Sequence, residues 1–427
     1  MKIFVVGGGG REHAIIHALS RSPKVDRLFA APGNGGISKE AVCFSTKATD
    51  IEKIVEDAKL IKPDYVFVAP DDPLVMGLVD RLNEEGFKTF GPRANAAILE
   101  GSKVFSKNLM KKYGIPTADY ETFNDPDKAI AYIKEKNSYP TVIKCDGLAL
   151  GKGVIIAEDF GQAEEAVKSI MIDGKFGKSG SEIVVEEYLT GPEVSVLAFT
   201  DGKTVKPMVS SMDHKRAYDG DKGLNTGGMG TIAPNPFYTE DKQKECMEKI
   251  FIPTIKAMRA EGRPFKGCLY FGLMLTPKGA KVIEYNCRFG DPETQVVLPL
   301  LETDLADIME AIWDERLDQL DIRWSNKSCA CVVMASGGYP EKYETGIDIA
   351  GLDKTGQIDS NTDADAYVYH AGTRWENGGF HTIGGRVLGI TATADTLQEA
   401  LDKAYKAVST ISFDKAHYRL DIGKKAL

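Results

Sequence analysis

The segment VIEYNCRFGDPET, residues 282–294, places carboxylate, amide and guanidinium groups at the end of a predicted β-hairpin that turns at residues 277–279. Because side chains alternate along a strand, Glu284 and Asn286 lie on the same face of the returning strand. Oxygen ligands at this spacing suit Mg²⁺, which takes few protein ligands and completes its coordination with water and phosphate oxygen atoms. Arg288 lies beside them and offers an anion a fork-shaped partner. The segment therefore predicts a metal and anion site, and a polar strand end leading into a surface loop is the alternative.

The chain has 427 residues, which is too long for one hydrophobic core and suggests roughly three domains of usual size. Its hydrophobic fraction of 43% and charged fraction of 27% are those of an ordinary soluble globular protein. The 53 basic and 62 acidic residues give a net charge of −9. This charge argues against a nucleic-acid partner, which requires a broad basic surface. Local clusters of Lys, Arg and backbone N–H groups can still bind phosphate compounds.

The seven cysteines are scattered and lie mostly in apolar runs. This distribution is typical of buried thiols in a reducing compartment rather than of disulfides or a zinc site. The N-terminal sequence MKIFVVGGGG predicts a strand and lacks the charged head and cleavage site of a signal peptide. No apolar run approaches the ~20 residues of a membrane span. We therefore expect a cytoplasmic protein without a membrane partner.

The order of strand and helix signals predicts an α/β and α+β multidomain protein. Residues 1–102 alternate strands and helices, which implies a doubly wound parallel sheet. Residues 103–190 form a compact α+β unit, and residues 191–326 hold β-hairpins, a polar glycine-rich loop, a helix at 239–260 and the opening hairpin. Residues 327–427 form a small β-rich unit that finishes with a helix near its end.

The glycine-rich sequence GGGGREHA, residues 7–14, follows the first strand and suggests a dinucleotide-binding fingerprint. Two features argue against NAD: Glu12 occupies the third glycine position, and no clear acidic residue ends the second strand. What remains is a turn whose free N–H groups, at a helix N-terminus, can hold a phosphate. A plain tight turn between strand and helix is the alternative.

A second glycine-rich segment, residues 144–154, lies between two strands and lacks the Gly-Lys-Ser/Thr ending of a P-loop. It predicts a flap over a triphosphate with Lys144 beneath it, or else an ordinary hairpin loop. Residues 185–196 then lead from one unit to the next, and ligands favour such junctions. Backbone groups there can contact an adenine edge and Glu193 a ribose, with a solvated acidic turn as the alternative.

Residues 213–230 are highly polar and contain five glycines. A mobile lid that keeps water from a reactive intermediate needs this mixture of flexibility and charge, and a disordered surface loop is the alternative. The six histidines are dispersed and lack metal-ligand spacing. Nothing in the sequence supports a covalent mechanism through Ser or Cys.

Taken in order, these segments resemble the phosphoribosylamine–glycine ligase family of the ATP-grasp superfamily. The resemblance spans nearly the whole chain and implies a pre-ATP-grasp domain (1–102), small and large ATP-grasp lobes (103–190 and 191–326) and a C-terminal domain (327–427). The strings that carry it are GGGGREHA (7–14), GPRANAAILEGSK (91–103), KCDGLALGKGV (144–154), EEYLTGPEVS (186–195), DHKRAYDGDKGLNTGGMG (213–230), IEYNCRFGDPETQ (283–295) and GGRVLGITA (384–392).

The resemblance implies roles for individual residues. Glu284 and Asn286 bind Mg²⁺ or Mn²⁺, while Met274 stands where many ATP-grasp enzymes have another metal carboxylate. The residues implied for ATP are Lys103 or Lys107, Lys144, Gly147, Gly151, Lys152 and Gly153 for the phosphates, Glu186 and Leu189 for adenine, and Glu193 for ribose. Those implied for the other substrates are Gly9, Gly10, Arg11, Glu12, Thr226, Gly227, Gly228, Arg288 and Asp291, and those implied in catalysis are Arg288, Asp291, Asp213 and Lys215.

The implied reaction is ATP-dependent ligation of glycine to 5-phosphoribosylamine through glycyl phosphate, a step of de novo purine synthesis. Transient contact with neighbouring enzymes of that pathway is compatible with it. The rival hypotheses are another ATP-grasp ligase acting on a purine precursor, such as a ribonucleotide carboxylase or a formate-dependent transformylase, a nucleotide-binding regulatory protein without turnover, and a Rossmann dehydrogenase.

Overall fold

The computed structural model describes residues 1–148, 153–359 and 364–427. The N-terminal unit is a parallel sheet of five strands in the order β3-β2-β1-β4-β5. Its central strand is buried along Ile3–Val6, as expected of a parallel strand covered on both faces. Its elements are β1 (Lys2–Gly7), α1 (Gly10–Ser20), β2 (Arg27–Pro32), β3 (Val42–Cys43), α2 (Ile51–Ile61), β4 (Tyr65–Val68), α3 (Asp71–Val75), α4 (Leu78–Glu84), β5 (Thr89–Phe90) and α5 (Ala94–Gly101). The predicted doubly wound α/β fold is confirmed.

The second unit is an antiparallel sheet in the order β6-β9-β7-β8, with two helices packed on it around a separate apolar core. The helix that leads into it ends at Gly114, whose φ of 67° provides the left-handed C-cap that the Gly-Ile-Pro sequence predicts. Its elements are α6 (Lys103–Tyr113), β6 (Tyr120–Phe123), α7 (Pro126–Lys136), β7 (Thr141–Cys145), β8 (Val154–Ala157), α8 (Phe160–Met171) and β9 (Ile183–Glu187).

The third unit contains the opening hairpin, which forms a four-stranded sheet in the order β11-β10-β16-β17. A helical stretch covers this sheet and runs through a π-helical segment at Met247–Phe251. The elements are β10 (Glu193–Asp201), β11 (Val205–Pro207), β12 (Met212–Asp213), β13 (Arg216–Tyr218), β14 (Lys222–Asn225), β15 (Gly230–Ala233), α9 (Glu240–Cys246), α10 (Ile252–Ala260), β16 (Lys266–Thr276), β17 (Gly279–Asn286), α11 (Thr294–Val297) and α12 (Leu305–Trp313).

The C-terminal unit combines a three-stranded sheet, β19-β22-β21, with a five-stranded sheet, β12-β15-β18-β23-β20. Its elements are β18 (Ser328–Ala335), β19 (Asp348–Ile349), β20 (Tyr367–His370), β21 (Thr373–Glu376), β22 (Gly379–Thr382), β23 (Arg386–Ala394) and α13 (Leu397–Val408). Strands β12 and β15, which bracket the predicted lid, therefore belong to the sheet of the C-terminal unit. None of the helices that the structure describes combines the length and apolar character needed to cross a membrane.

Gly191 lies where the chain passes from the second unit to the third, and its backbone requires glycine. Its φ is +146°, and a Cβ atom there would overlap the carbonyl oxygen of Leu275. We expect Gly191→Ala to lower the free energy of unfolding by about 1–3 kcal/mol through this overlap and to lower the Tm measured by differential scanning calorimetry. Gly262→Ala is the matched control, because Gly262 has φ +71° but no atom within 4 Å of the added Cβ. Equal Tm values for the two variants would contradict the steric explanation.

Candidate active site

A cleft of about 1230 Å³ lies where the four units meet. Most residues proposed from the sequence line it, although they come from distant segments. These are Arg11, Lys103, Lys107, Lys144, Gly147, Gly153, Glu186, Leu189, Glu193, Asp213, Lys215, Thr226, Gly227, Glu284, Asn286, Arg288 and Asp291. Of the others, Gly9, Gly10, Glu12 and Gly228 lie behind the cleft lining, and Gly151 and Lys152 lie outside the described residues.

Two lysines and one glutamate form a buried ionic cluster at one end of the cleft. Lys107 Nζ lies 3.0 Å from Glu186 Oε2, and Lys144 Nζ lies 3.1 Å from Glu186 Oε1. All three residues are at most 5% exposed. Burial lowers the pKa of Lys107 to about 8, although Glu186 opposes the shift. Lys144 approaches Glu186 Oε1 as an ion pair without a well-aligned hydrogen bond, and no other described residue donates to this oxygen, so it can still accept a hydrogen bond from a ligand.

The base of the glycine-rich flap is anchored to this end of the cleft. Lys103 Nζ donates to the carbonyl oxygen of Gly147 at 2.8 Å, and Lys144 Nζ donates to that of Ile283 at 3.2 Å. Lys144 thus connects β7 of the second unit to β17 of the third. Three lysine side chains approach the cleft from α6 and β7, as an anionic ligand requires.

The predicted metal ligands share one side of the hairpin. In the register of β16 and β17, Glu284 lies opposite Gly272 and Asn286 lies opposite Tyr270. The side chains of Glu284 and Asn286 both line the cleft. Burial alone would raise the pKa of Glu284, yet Lys215 and Lys144 hold it below its usual value. The Glu284 carboxylate is therefore ionised at neutral pH, as a metal ligand must be.

The hairpin register places Met274 opposite Lys281, and Met274 also lines the cleft. Gly272 and Tyr270 stand opposite Glu284 and Asn286. Within the described parts of the chain, no group of three or more His, Cys, Asp and Glu side chains could hold a metal ion. Glu284 and Asn286 therefore offer two ligands, which suits an ion that takes its other ligands from water and phosphate.

Lys215 stands between two carboxylates that come from different strands. Its Nζ atom lies 3.4 Å from Glu193 Oε2 and 3.8 Å from Glu284 Oε1. The attraction of Glu193 first, and then of Glu284, raises the pKa of Lys215 well above its usual value against the effect of burial. Lys215 therefore remains a cation in the middle of the cleft.

Arg288 is held by carboxylates of the N-terminal unit. Its Nη2 atom lies 3.0 Å from Glu100 Oε1 and 3.7 Å from Asp71 Oδ2. Its buried Nε has no hydrogen-bond partner among the described residues. Burial raises the pKa of Glu100 to about 7, although Arg288 opposes this shift. The guanidinium group thus keeps one donor for an anionic ligand.

A pair of acidic side chains lies beside the metal pair. Burial first, and then repulsion from Glu293, raises the pKa of Asp213 well above its usual value. Burial likewise raises the pKa of Glu293. Asp213 Oδ1 is buried without a hydrogen-bond partner in the described part of the chain. Tyr270 Oη and Ser195 Oγ, 2.8 Å apart, complete this corner, and Ser195 Oγ lies 3.4 Å from Glu293 Oε1.

Asp291 is tied to the C-terminal unit by Arg386. Arg386 Nη2 lies 3.0 Å from Asp291 Oδ2, and Nη1 donates to the carbonyl oxygens of Asp291 and Gly227, each at 2.8 Å. Gln295 Nε2 donates to Asp291 Oδ1 at 2.8 Å. Burial would raise the pKa of Asp291, but Arg386 and Arg11 lower it below its usual value. Arg386 therefore joins the base of the predicted lid to the loop that carries Asp291.

The tip of the predicted lid forms a hairpin, β13 and β14, that contacts the C-terminal segment. Asp221 pairs with Arg419 at 3.0 Å and also with Lys425. Arg419 pairs with Asp421 at 2.7 Å, and Asp421 accepts a hydrogen bond from the Gly220 N–H at 2.8 Å. Both the base and the tip of the lid are thus bound to the C-terminal unit.

The N-terminal glycine turn is stabilised by Glu12. One oxygen of Glu12 accepts from the Gly9 N–H at 2.6 Å, and the other accepts from Arg11 Nε at 2.6 Å. Arg11 Nη1 also donates to the carbonyl oxygen of Phe289 at 3.1 Å, on the segment that follows the metal pair. Glu12 therefore shapes the turn and orients Arg11, and its role as a substrate ligand stays a prediction.

Sequence reasoning missed several residues of the cleft, namely Asp71, Glu100, Tyr270, Glu293 and Arg386. Three of them lie in quoted strings: Glu100 in GPRANAAILEGSK, Glu293 in IEYNCRFGDPETQ and Arg386 in GGRVLGITA. A charged residue inside an otherwise apolar helix or at a strand end was the available signal. Tyr270 reads as an ordinary aromatic residue of a core strand and carries no such signal.

Comparison with known protein families matches three consecutive parts of the chain. Residues 1–100 match the phosphoribosylglycinamide synthetase N domain, residues 101–294 its ATP-grasp (A) domain and residues 329–425 its C domain. Two proteins described as phosphoribosylamine–glycine ligase, from Clostridium acetobutylicum and Caldanaerobacter subterraneus subsp. tengcongensis, are each 47% identical to this chain. Both alignments cover 99% of this chain and 100% and 99% of those proteins.

Solved structures give the same result. A crystal structure of phosphoribosylamine–glycine ligase from Thermotoga maritima has a TM-score of 0.85 and 31% identity, and the alignment covers 99% of this chain and 100% of that one. Biotin carboxylase from Campylobacter jejuni has a TM-score of 0.75 with 14% identity, covering 98% and 92% of the two chains. This second likeness shows a shared fold.

Neighbouring residues of β9 allow a test of the buried ionic cluster. We expect Glu186→Gln to lower the free energy of unfolding by about 3 kcal/mol, because the buried ammonium groups of Lys107 and Lys144 lose their counter-charge. Glu187→Gln is the matched control, because Glu187 pairs with Lys281 at 3.1 Å near the surface, and such a pair is worth about 1 kcal/mol or less. Calorimetric Tm values would check this, and equal losses in the two variants would contradict it.

Proposed function

The chain belongs to the phosphoribosylglycinamide synthetase family, and we propose that it uses ATP to join glycine to 5-phosphoribosylamine. The products are glycinamide ribonucleotide, ADP and phosphate. The observation that carries this proposal is one cleft in which a lysine cluster, an ionised Glu284 beside Asn286, and Arg288 come together. Phosphoryl transfer depends mainly on positioning and on charge neutralisation, which such a cleft supplies without a nucleophilic side chain.

ATP is placed at the lysine end of the cleft. Lys103 and Lys144 neutralise its phosphates beneath the loop that begins at Gly147. Glu186 Oε1 lacks a hydrogen-bond partner among the described residues and can accept the adenine amino group. Leu189 then flanks the base, and Glu193 holds the ribose hydroxyls. The assignment uses the junction between the second and third units, where clefts commonly bind nucleotides.

A divalent cation, Mg²⁺ or Mn²⁺, fits the side of the cleft formed by β17. Glu284 supplies a carboxylate that nearby lysines keep ionised, and Asn286 supplies an amide oxygen. These hard oxygen donors are of the kind that such ions prefer. When bound, the ion would supply positive charge that stabilises the charge developing on the transferred phosphoryl group. Glu284 and Asn286 hold it, and Lys215 adds positive charge beside it.

Glycine and phosphoribosylamine occupy the opposite end. The glycine carboxylate attacks the γ-phosphoryl group of ATP, which gives glycyl phosphate and ADP, and the amine of phosphoribosylamine then displaces phosphate. Arg288 binds a substrate carboxylate or phosphate through its unpartnered Nε, and Asp291 binds an amine or a ribose hydroxyl. Asp213 and Lys215 line the reaction centre between them. The glycine turn at residues 8–11 holds part of the phosphoribosyl group.

The lid is assigned the exclusion of water, because acyl phosphates hydrolyse readily in water. Thr226, Gly227 and Gly228 lie at its base, where Arg386 connects them to the loop of Asp291. We also propose the division of the chain into residues 1–102, 103–190, 191–326 and 327–427, with strands β12 and β15 contributed to the C-terminal sheet. A cytoplasmic location and transient contacts with neighbouring purine-synthesis enzymes complete the proposal.

Substrate dependence gives the most direct test. We expect ADP release, followed with a coupled enzyme assay, to require both glycine and freshly prepared phosphoribosylamine. Bicarbonate or formate, each supplied with the same amine, should not replace glycine. ADP release that responds to bicarbonate or formate but not to glycine would favour a carboxylase or transformylase and contradict the proposal.

The metal assignment predicts a large effect at Glu284. We expect Glu284→Ala to lower kcat by at least about 100-fold with Mg²⁺ or Mn²⁺, because the ion loses the carboxylate that the proposed site provides. Lys281→Ala is the control on the same strand, since Lys281 is outside the cleft lining and pairs with the surface residue Glu187. Normal metal-dependent turnover in Glu284→Ala would overturn the assignment.

A further inference from the structure

Glu100 is a buried carboxylate that reaches the metal-binding strand from another unit. It belongs to the last turn of α5 and is 8% exposed, and the residues near its carboxylate group lie 186 to 188 positions later in the sequence. Burying an ionisable carboxylate costs free energy unless hydrogen bonds and charges compensate it. The contacts of Glu100 therefore identify the groups that compensate its buried carboxylate and that it orients in turn.

Three consecutive residues contact the Glu100 carboxylate. Oε2 accepts from the backbone N–H of Cys287 at 2.6 Å, and Oε1 lies 3.0 Å from Arg288 Nη2 in an ion pair. One end of the Asn286 side-chain amide lies 3.0 Å from Glu100 Oε1 and 3.2 Å from the carbonyl oxygen of Tyr285, and it donates to both when that end is the nitrogen. The Glu100 carboxylate thus contacts Asn286, the last residue of β17, and the two residues that follow it, Cys287 and Arg288.

The contacts of Asn286 determine which way its amide group points. An asparagine side chain has one end that donates and one end that accepts, and its neighbours decide the orientation. When Glu100 is ionised and paired with Arg288, its Oε1 can only accept, as can the Tyr285 carbonyl, so the nitrogen of Asn286 must face them. The amide oxygen is then left free, and oxygen, not the amide nitrogen, binds a hard cation.

We propose that Glu100 is a positioning residue that fixes the amide of Asn286 in the orientation that leaves its oxygen available to a divalent cation. This inference rests on the proposed function, because it assumes that Glu284 and Asn286 hold the ion. Residues behind metal ligands commonly orient them in this way, and their loss weakens metal affinity by about 10–100-fold. Glu100 does so for an asparagine through a bond to its nitrogen.

A purely structural role is the alternative, in which Glu100 only anchors Arg288 and the backbone of Cys287. The two roles predict different results for Glu100→Gln. A glutamine offers one acceptor and one donor where three donors converge, so the side chain of Asn286 is driven to rotate and to accept from Gln at position 100. This rotation turns the amide oxygen of Asn286 away from the ion and weakens metal binding. A purely structural defect would instead lower stability without a specific loss of metal binding.

The test measures Mn²⁺ binding directly, by electron paramagnetic resonance in the presence of a non-hydrolysable ATP analogue. We expect Glu100→Gln to weaken Mn²⁺ binding by about 10–100-fold. Asp201→Asn is the matched control, because Asp201 is also a buried carboxylate that accepts three backbone N–H bonds, from Lys203, Thr204 and Leu317. That variant is expected to lose stability but to bind Mn²⁺ within about twofold of the unaltered protein.

A double variant distinguishes orientation from general damage. In Glu100→Gln/Asn286→Asp, one oxygen of the new carboxylate accepts from the glutamine and the other remains free for the ion. We expect this double variant to bind Mn²⁺ at least about fivefold more tightly than Glu100→Gln alone. In the unaltered background, Asn286→Asp should bind no more tightly than the native protein, because two carboxylates then face each other. A substitution of Asn286 that improves Mn²⁺ binding only when Glu100 is also replaced would show that the two side chains orient each other.

Three outcomes would overturn the inference. They are Mn²⁺ binding within twofold of native in Glu100→Gln, a double variant that binds no better than that single variant, and an equal loss of Mn²⁺ binding in Asp201→Asn. If Glu100→Gln does not fold, Glu100→Asp keeps the charge beside Arg288 but withdraws it from Asn286, and unchanged Mn²⁺ affinity there would overturn it too. Failure of the proposed function is distinguishable, because glycine would then fail to stimulate ADP release while Mn²⁺ binding by the native protein and its loss in Glu100→Gln could still be measured.

Discussion

The need to compensate buried charge connects the units of this molecule. Many charged groups of the cleft find their partners on another element, and three of these contacts cross a unit boundary: Arg288 with Glu100, Asp291 with Arg386, and Lys144 with the carbonyl oxygen of Ile283. A buried ion without a partner costs several kcal/mol, so the units cannot separate at these points without a penalty. The same charges that hold the units together are therefore the ones that face the ligands.

This arrangement explains how a chain with a net charge of −9 can bind a nucleoside triphosphate. Lys103, Lys107 and Lys144 converge from α6 and β7 on one end of the cleft, where one carboxylate, Glu186, only partly balances them. The local potential is then set by nearby groups, because distant surface charges are screened by solvent and salt. A negative net charge argues against a broad basic surface, but it does not determine the local electrostatic potential inside a cleft.

Much of the fold could be predicted from the sequence, because local signals agreed with the tertiary arrangement. The alternation of strand and helix gave the parallel N-terminal sheet, and Gly114 before Pro116 gave the end of α6. Apolar periodicity alone predicts one helix over residues 74–83. In the structure Gly77, with φ +90°, lies between α3 and α4 and divides this segment into two helices. Contacts between distant segments could not be predicted. The pairing of β12 and β15 with β18 is the main example.

The cleft shows the same division between local and distant information. Alternation along one strand is sufficient to place Glu284 beside Asn286, since both lie within three residues. The residues opposite them depend on the hairpin register, which places Gly272 across from Glu284, Tyr270 across from Asn286 and Met274 across from Lys281.

The residues opposite Glu284 and Asn286 have a chemical consequence for the ion. Glycine offers no ligand, and burial raises the pKa of Tyr270 well above its usual value, so its phenol stays protonated and is a poor ligand. The strand opposite Glu284 and Asn286 thus adds no charge to the ion. An ion held by one carboxylate and one amide depends on phosphate oxygens for the rest of its coordination. Cation and nucleotide should therefore bind cooperatively, and the orientation of a single amide oxygen becomes a large share of what the protein contributes.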